Sequence, residues 1–229
     1  MLLAGNRGIT NKCTGVAKPG VFKWTITCRD PVILDVIPLE CHAMTPDEFK
    51  CEWTAGGDTL VPFSRDSLAG IGLSDSTIQF LVEAGLPDSA APFLDFFGHG
   101  SRRMQPASDA YPVAAGLERY RCVGTNDSGD PICIDTESND TIVLLFHDDN
   151  FRPVRLNSTV GQFAESLLAF RKLVDESCAI NGDDAFLDGD IPQHLIESLS
   201  NQLSSIDAES MKEGDFWRTE IKTLIQSAV

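Results

Sequence analysis

The residues best able to do chemistry in this chain are few and scattered. Four histidines, His42, His99, His147 and His194, lie in unrelated contexts. His147 stands out because Asp148 and Asp149 follow it, and an imidazole beside two carboxylates can bind a metal or share a proton. A specific metal site adds a second ligand pair, and none is visible, so a histidine at a strand end is the preferred reading. Gly98-His99-Gly100 leads into neither a GxGxxG nor a GK followed by Ser or Thr, so it is no phosphate loop. The chain has no GxSxG that could present a nucleophilic serine. Asn181-Gly182-Asp183-Asp184 and Asp188-Gly189-Asp190 loosely resemble a calcium loop. Counted from Asn181, however, Phe186 falls where glycine is needed and Pro192 where the bidentate glutamate belongs. A solvated acidic loop is the better reading. Seven cysteines at irregular spacing, with no CxxC pair, argue against a disulfide framework and a zinc site and fit a reducing compartment. No catalytic, cofactor-binding or metal-binding residue is nominated.

The elements that must position these residues centre on Tyr120 to Glu176. Arg119 to Gly124 and Ile132 to Thr136 read as strands joined by a turn-rich loop, Thr125 to Pro131. Glu137 to Asp140 reverses the chain into Thr141 to Phe146 (TIVLLF), and His147 to Asn150 turns it into Phe151 to Leu156. If the first hairpin is symmetric, Cys122 and Cys133 lie opposite each other as buried free thiols; a one-residue slip would separate them. Asn157 or Ser158 can cap a helix whose Val160, Phe163, Leu167, Phe170 and Val174 share one face. A meander closed by an amphipathic helix is an α+β layer.

Upstream, Thr45 as cap, Pro46 at the first turn and Glu48 three residues on predict a helix start, with Phe49 and Trp53 on one face. Gly56-Gly57-Asp58 ends that helix, and Leu60 to Phe63 reads as briefly extended. Ser74 caps a second helix with Ile78, Leu81 and Val82 inward, stopped by Gly85 and Pro87. Ala91 to Phe97 reads as an extended run entering the core, and Gly98 to Pro112 as a polar loop carrying Arg102 and Arg103. Downstream, Asp190 can cap Ile191 to Ile206, with Ile191, Leu195, Leu199 and Ile206 inward. A last helix from Asp215 carries Phe216, Trp217, Ile221, Leu224 and Ile225.

Charge separates the chain into parts. The net charge is -16 over 229 residues, yet residues 1–43 hold five basic and three acidic side chains, and the remainder carries -18. So acidic a surface repels nucleic acid and anionic membrane and attracts basic protein partners. Twelve acidic residues against two basic ones, a balance of -10, fall between Asp175 and Glu220. Asp183, Asp184, Asp188 and Asp190 are the densest group and are nominated as the partner-binding residues. No apolar run approaches the ~20 residues that span a bilayer. Met1-Leu2-Leu3 runs into Gly5-Asn6-Arg7-Gly8 without the apolar core of a secretory signal, so a cytoplasmic protein is expected.

Four patches in order resemble the SUKH superfamily, and most of all its fourth immunity subfamily. The first is Ile78, Phe80 and Leu81 leading to Gly85-Leu86-Pro87, followed by Pro92 and Phe96. Gly124, Asn126, Gly129, Ile132, Ile134 and Asp135, then Val143, are similar to the family's central hairpin. Asn157-Ser158 with Phe163, Leu167 and Phe170 resembles its helix entry, and Trp217 to Glu220 its closing helix. The resemblance spans residues 44–229 as one domain. It departs at Thr136 to Asp140, where an expected glycine is missing, and residues 1–43 match nothing in the family.

The resemblance implies a SUKH-like α+β fold, with a central antiparallel meander sheet packed by N-terminal and C-terminal helices. It further implies a bacterial immunity protein that binds and neutralises a cognate polymorphic toxin, often a nuclease or deaminase, with no catalytic positions of its own. Joined to the charge, this reads as an acidic decoy that occupies the toxin's basic substrate-binding surface. The runner-up is a regulatory or scaffolding module of the same fold. A metal-dependent hydrolase built on His147, Asp148 and Asp149 is the third.

Residues 1–43 are either a real extension or sequence upstream of a start at Met44, and their composition favours the second. They lack a periodic apolar face with which to join a core. A chain beginning at Met44 should therefore unfold at a midpoint close to that of the full chain. A loss above ~2 kcal/mol, the scale of burying one large apolar side chain, would reveal a packed element there.

Overall fold

Thr45 opens the described part of the chain as a helix cap. Its side chain accepts a hydrogen bond from the Glu48 N–H, and the Glu48 carboxylate accepts one from the Thr45 N–H at 2.9 Å. This reciprocal cap starts α1 (Pro46–Thr54), which buries Phe49 and Trp53 as the sequence predicts. The computed structural model describes residues 44–97, 104–112 and 115–227, all within one compact unit, Glu40–Val229. Pro31 to Leu39, the one stretch of residues 1–43 whose sequence could pair as an edge strand, lies outside the described residues, as do His42, Gly98-His99-Gly100, Arg102 and Arg103.

Next come β1 (Leu60–Val61), a 3-10 turn at Arg65–Leu68, and α2 (Asp75–Glu83), capped by Ser74. Gly85 stops α2 at φ 77, and a Cβ there would lie 2.2 Å from the Val61 carbonyl oxygen. That closeness lets β2 (Leu86–Pro87) pair with β1. Then follow β3 (Ser89–Ala90), β4 (Leu94–Phe96), the one-turn α3 (Ala107–Ala110), β5 (Tyr120–Asn126), β6 (Pro131–Asp135), β7 (Thr141–Phe146) and β8 (Arg152–Asn157). Strands β3 to β8 form one antiparallel sheet in sequence order, a six-stranded meander. The chain closes with α4 (Val160–Asn181), α5 (Gln193–Ile206) and α6 (Phe216–Ser227).

The sheet is covered on both faces, which explains the unbroken apolar run of β7. Successive side chains point to opposite faces. Ile132, Ile134, Ile142 and Leu144 join the main core with the helices. Cys133, Val143 and Leu145 join a smaller cluster that includes Tyr120, Ala107 and Leu117. The β6–β7 turn manages without its glycine because Asn139 and Asp140 take the left-handed backbone themselves, at φ 53 and 59. Asp140 is buried there, and its carboxylate accepts the Ser74 N–H at 2.8 Å, tying the turn to the cap of α2. Cys122 does face Cys133, with sulfurs 3.4 Å apart and both thiols free; a bulge between Cys122 and Gly124 follows.

Several local expectations fail for traceable reasons. Helix α4 is capped by Thr159, because Asn157 is fully buried in side-chain contacts and the Ser158 N–H goes to Asp207 at 2.6 Å. Helix α5 begins after Pro192 with no side-chain cap, since Asp190 is held by the Asn181 amide at 2.8 and 3.0 Å. Ala91 to Phe97 does not enter the core whole: Phe93 and Phe97 are exposed, while Leu94 and Phe96 are buried. Ile225 also points outward. The Gly98 to Pro112 loop contains α3, which the sequence analysis did not anticipate.

Asn157 joins β8 to two helices. Its side-chain oxygen accepts the Trp217 indole N–H at 2.9 Å, and its amide donates to the Ser166 hydroxyl at 3.1 Å. All three residues are completely buried. Trp217→Phe should therefore cost about 2–3 kcal/mol, by leaving the Asn157 oxygen unpaired and a small void behind, read as a lower urea midpoint at unchanged slope.

Candidate functional site

The His147-Asp148-Asp149 run does not converge on one point. His147 Nδ1 lies 2.5 Å from the carboxylate of buried Asp130, which also accepts the His147 backbone N–H at 2.8 Å. Its Nε2 is 3.2 Å from Asp148, whereas Asp149 pairs with Arg152. The Asp130 hydrogen bond holds the imidazole pKa above its ordinary value. Among the described residues, no group of three or more His, Cys, Asp or Glu could hold a metal. In the Cys122–Cys133 pair, burial pushes the Cys133 thiol up, while the bond from Cys133 holds the Cys122 thiol down. His194 stands on α5, away from the His147 cluster in sequence.

The acidic segment divides once its side chains are placed. Asp207 is buried and structural: it accepts from the Ser158 N–H and hydroxyl and from the Glu209 N–H. Glu209 pairs with Lys212, Glu213 with Lys222, Asp175 with Arg171 and Glu176 with Lys172. These pairs leave the loop between α4 and α5 unneutralised. Asp183, Asp184, Asp188 and Asp190 are all exposed in it.

The loop is nevertheless well anchored. Gly182 closes α4 at φ 103, and backbone bonds run from Ala185 to Gly182, Asp188 to Asp184 and Asp190 to Ala185. Ala185 is buried, and Phe186 stacks edge-on against Phe170 of α4 at 5.9 Å. Leu187 points away, 68% exposed. The loop therefore holds its carboxylates and one apolar side chain outward on a fixed frame.

Beside it lies a groove of about 700 Å³, bordered by the end of α1, the Pro87–Asp95 segment, Asp127 and the Phe186–Leu187 pair. Arg171 of α4 reaches its wall, donating to the Trp53 and Glu52 carbonyls at 2.8 and 3.0 Å and lying 4.7 Å over the Trp53 ring. Sequence reasoning missed this groove. The one available signal was Phe93, a large aromatic directly after a proline.

Glu220, three residues beyond Trp217 on α6, has its pKa raised to about 7, first by burial and then by Asp127. The folded state therefore keeps a proton that the unfolded chain, near pKa 4.5, has already released. Stability should fall as pH rises from about 4.5 to 7 and level off above. Glu220→Gln removes that slope and should stabilise the fold by about 2–3 kcal/mol at pH 8, with no gain at pH 4.5. Denaturant unfolding of both proteins at the two pH values checks it, and an equal difference at both would show no raised carboxyl.

Among the described residues no helix is long and apolar enough to cross a membrane. Comparison with curated proteins and with solved structures gives no match. The family model described as SUKH-4 immunity protein matches residues 47–223, which contain the whole meander and most of the helices that pack on it. The meander, the helix entry at Asn157 and the closing helix at Trp217 place the chain in the SUKH-4 immunity protein family.

Proposed function

We propose that this chain neutralises a cognate polymorphic toxin by binding it in the cytoplasm, and that it contributes no chemistry of its own. The observation that carries this reading is the anchored, unneutralised loop between α4 and α5 in a member of an immunity family. A rigid acidic surface steers a basic partner and raises its association rate. A toxin that handles nucleic acid, such as a nuclease or a nucleobase deaminase, carries a basic substrate-binding surface, and an acidic decoy occupying it blocks substrate entry. Asp183, Asp184, Asp188 and Asp190 are the steering residues in this reading.

The biological test is survival: cells expressing the C-terminal domain of the toxin encoded beside this gene should grow only with this chain present. The physical test is the on-rate for that domain against ionic strength. Changing all four Asp→Asn should slow association roughly tenfold at low salt and flatten the salt dependence, with little change in unfolding midpoint. Identical salt slopes would remove this loop from the interface and direct attention to the Gly98 to Pro112 loop.

A further inference from the structure

We infer that the groove beside the α4–α5 loop is where the toxin is gripped, and that it takes a basic protein segment presenting one bulky apolar side chain. This rests on the immunity reading above and adds the place and the chemistry of the contact. Six large apolar side chains are well exposed among the described residues, and two of them, Phe93 at 54% and Leu187 at 68%, border this one groove. Phe93 holds a left-handed backbone at φ 61, a conformation that a bulky L-residue adopts only against steric resistance. Core packing does not repay it, because the ring stays largely in water. It leans instead on Phe186, at 5.9 Å between centroids, which in turn meets Phe170 in the main core. The result is a fixed aromatic platform open to a partner.

The rim supplies the charge. Asp58, Asp88, Asp95 and Asp127 are all exposed around the groove. The basic residue on its wall, Arg171, is already held by two backbone carbonyls and by Asp58 at 3.3 Å. Leu187 has Asp188 next to it and Asp184 three residues before it, so the apolar centre is ringed by unbalanced negative charge. Apolar anchors inside a charged rim are the arrangement in which a few residues carry most of a protein–protein affinity. A small polycation would satisfy the carboxylates but leave Phe93 and Leu187 uncovered, so the groove suits a protein.

The test uses the full chain and, as probe, a catalytically inactivated C-terminal domain of the toxin encoded beside it. Phe93→Ala and Leu187→Ala should each raise Kd at least tenfold, chiefly through faster dissociation. Phe146→Ala, an exposed aromatic that does not line the groove, should stay within twofold. Leu187 is mostly in water, so Leu187→Arg keeps the test valid should Phe93→Ala lose its fold by circular dichroism. If the wild type binds and both Leu187 variants bind within twofold of it, the groove is not the grip and the inference is overturned while the immunity reading stands. If spermine competes the probe away as well as the Asp→Asn changes do, with Leu187→Ala neutral, the contact is purely electrostatic and the apolar anchor is wrong. If the wild type neither binds the probe nor protects cells, the immunity reading fails and this inference falls with it.

Discussion

The buried side chain of Asn157 is the contact on which the rest of the structure depends. A primary amide has two donors and an acceptor, and here it stands at zero exposure at the end of β8. Left unpaired it would be expensive; paired with Trp217 and Ser166 it fixes α4 and α6 to the sheet in one arrangement. The neighbouring Ser158 repeats the logic through Asp207, bringing in the turn between α5 and α6. Three helices thus register on one strand end. That explains why the acid at Asp207 is structural, although it falls within the acidic segment.

From this knot a row of aromatic rings runs outward. Trp217 meets Phe170, Phe170 meets Phe186, and Phe186 meets Phe93, with each centroid pair 5.9 Å apart. Rigidity in the core is therefore passed to the α4–α5 loop and to the exposed Phe93 without any regular secondary structure at the surface. A loop held this way can present carboxylates and apolar groups in a set geometry and lose little entropy on binding. This suits a protein whose proposed task is recognition.

The acidic residues sort into two kinds by partner. Asp130, Asp135 and Asp140 are buried and bonded to His147, Arg119 and the Ser74 N–H, so they hold the meander's turns and cannot recruit anything. The carboxylates of the α4–α5 loop and the groove rim are exposed instead, although Asp190 also accepts from Asn181 and Asp58 from Arg171. Exposed carboxylates of the second kind contribute to a field that a basic partner can feel.

The sequence by itself determined the local pieces whose causes are local. The Thr45–Glu48 cap, the Gly85 stop, the strand-turn-strand meander and the apolar face of α4 follow from residue types at short spacing, and each is present. It also carried the family, because four ordered patches reflect one packing scheme. It misplaced the caps of α4 and α5, since Asn157 and Asp190 were claimed by groups nine to sixty residues away. The four loop aspartates were legible as a charge cluster. That their loop is anchored, that Asp207 is not one of their kind, and that Phe93 and Leu187 line one groove were decided only by tertiary structure. The reason is physical: α1, β4, the β5–β6 turn and the α4–α5 loop are brought together by core packing, and no local spacing records which distant surfaces that packing leaves side by side.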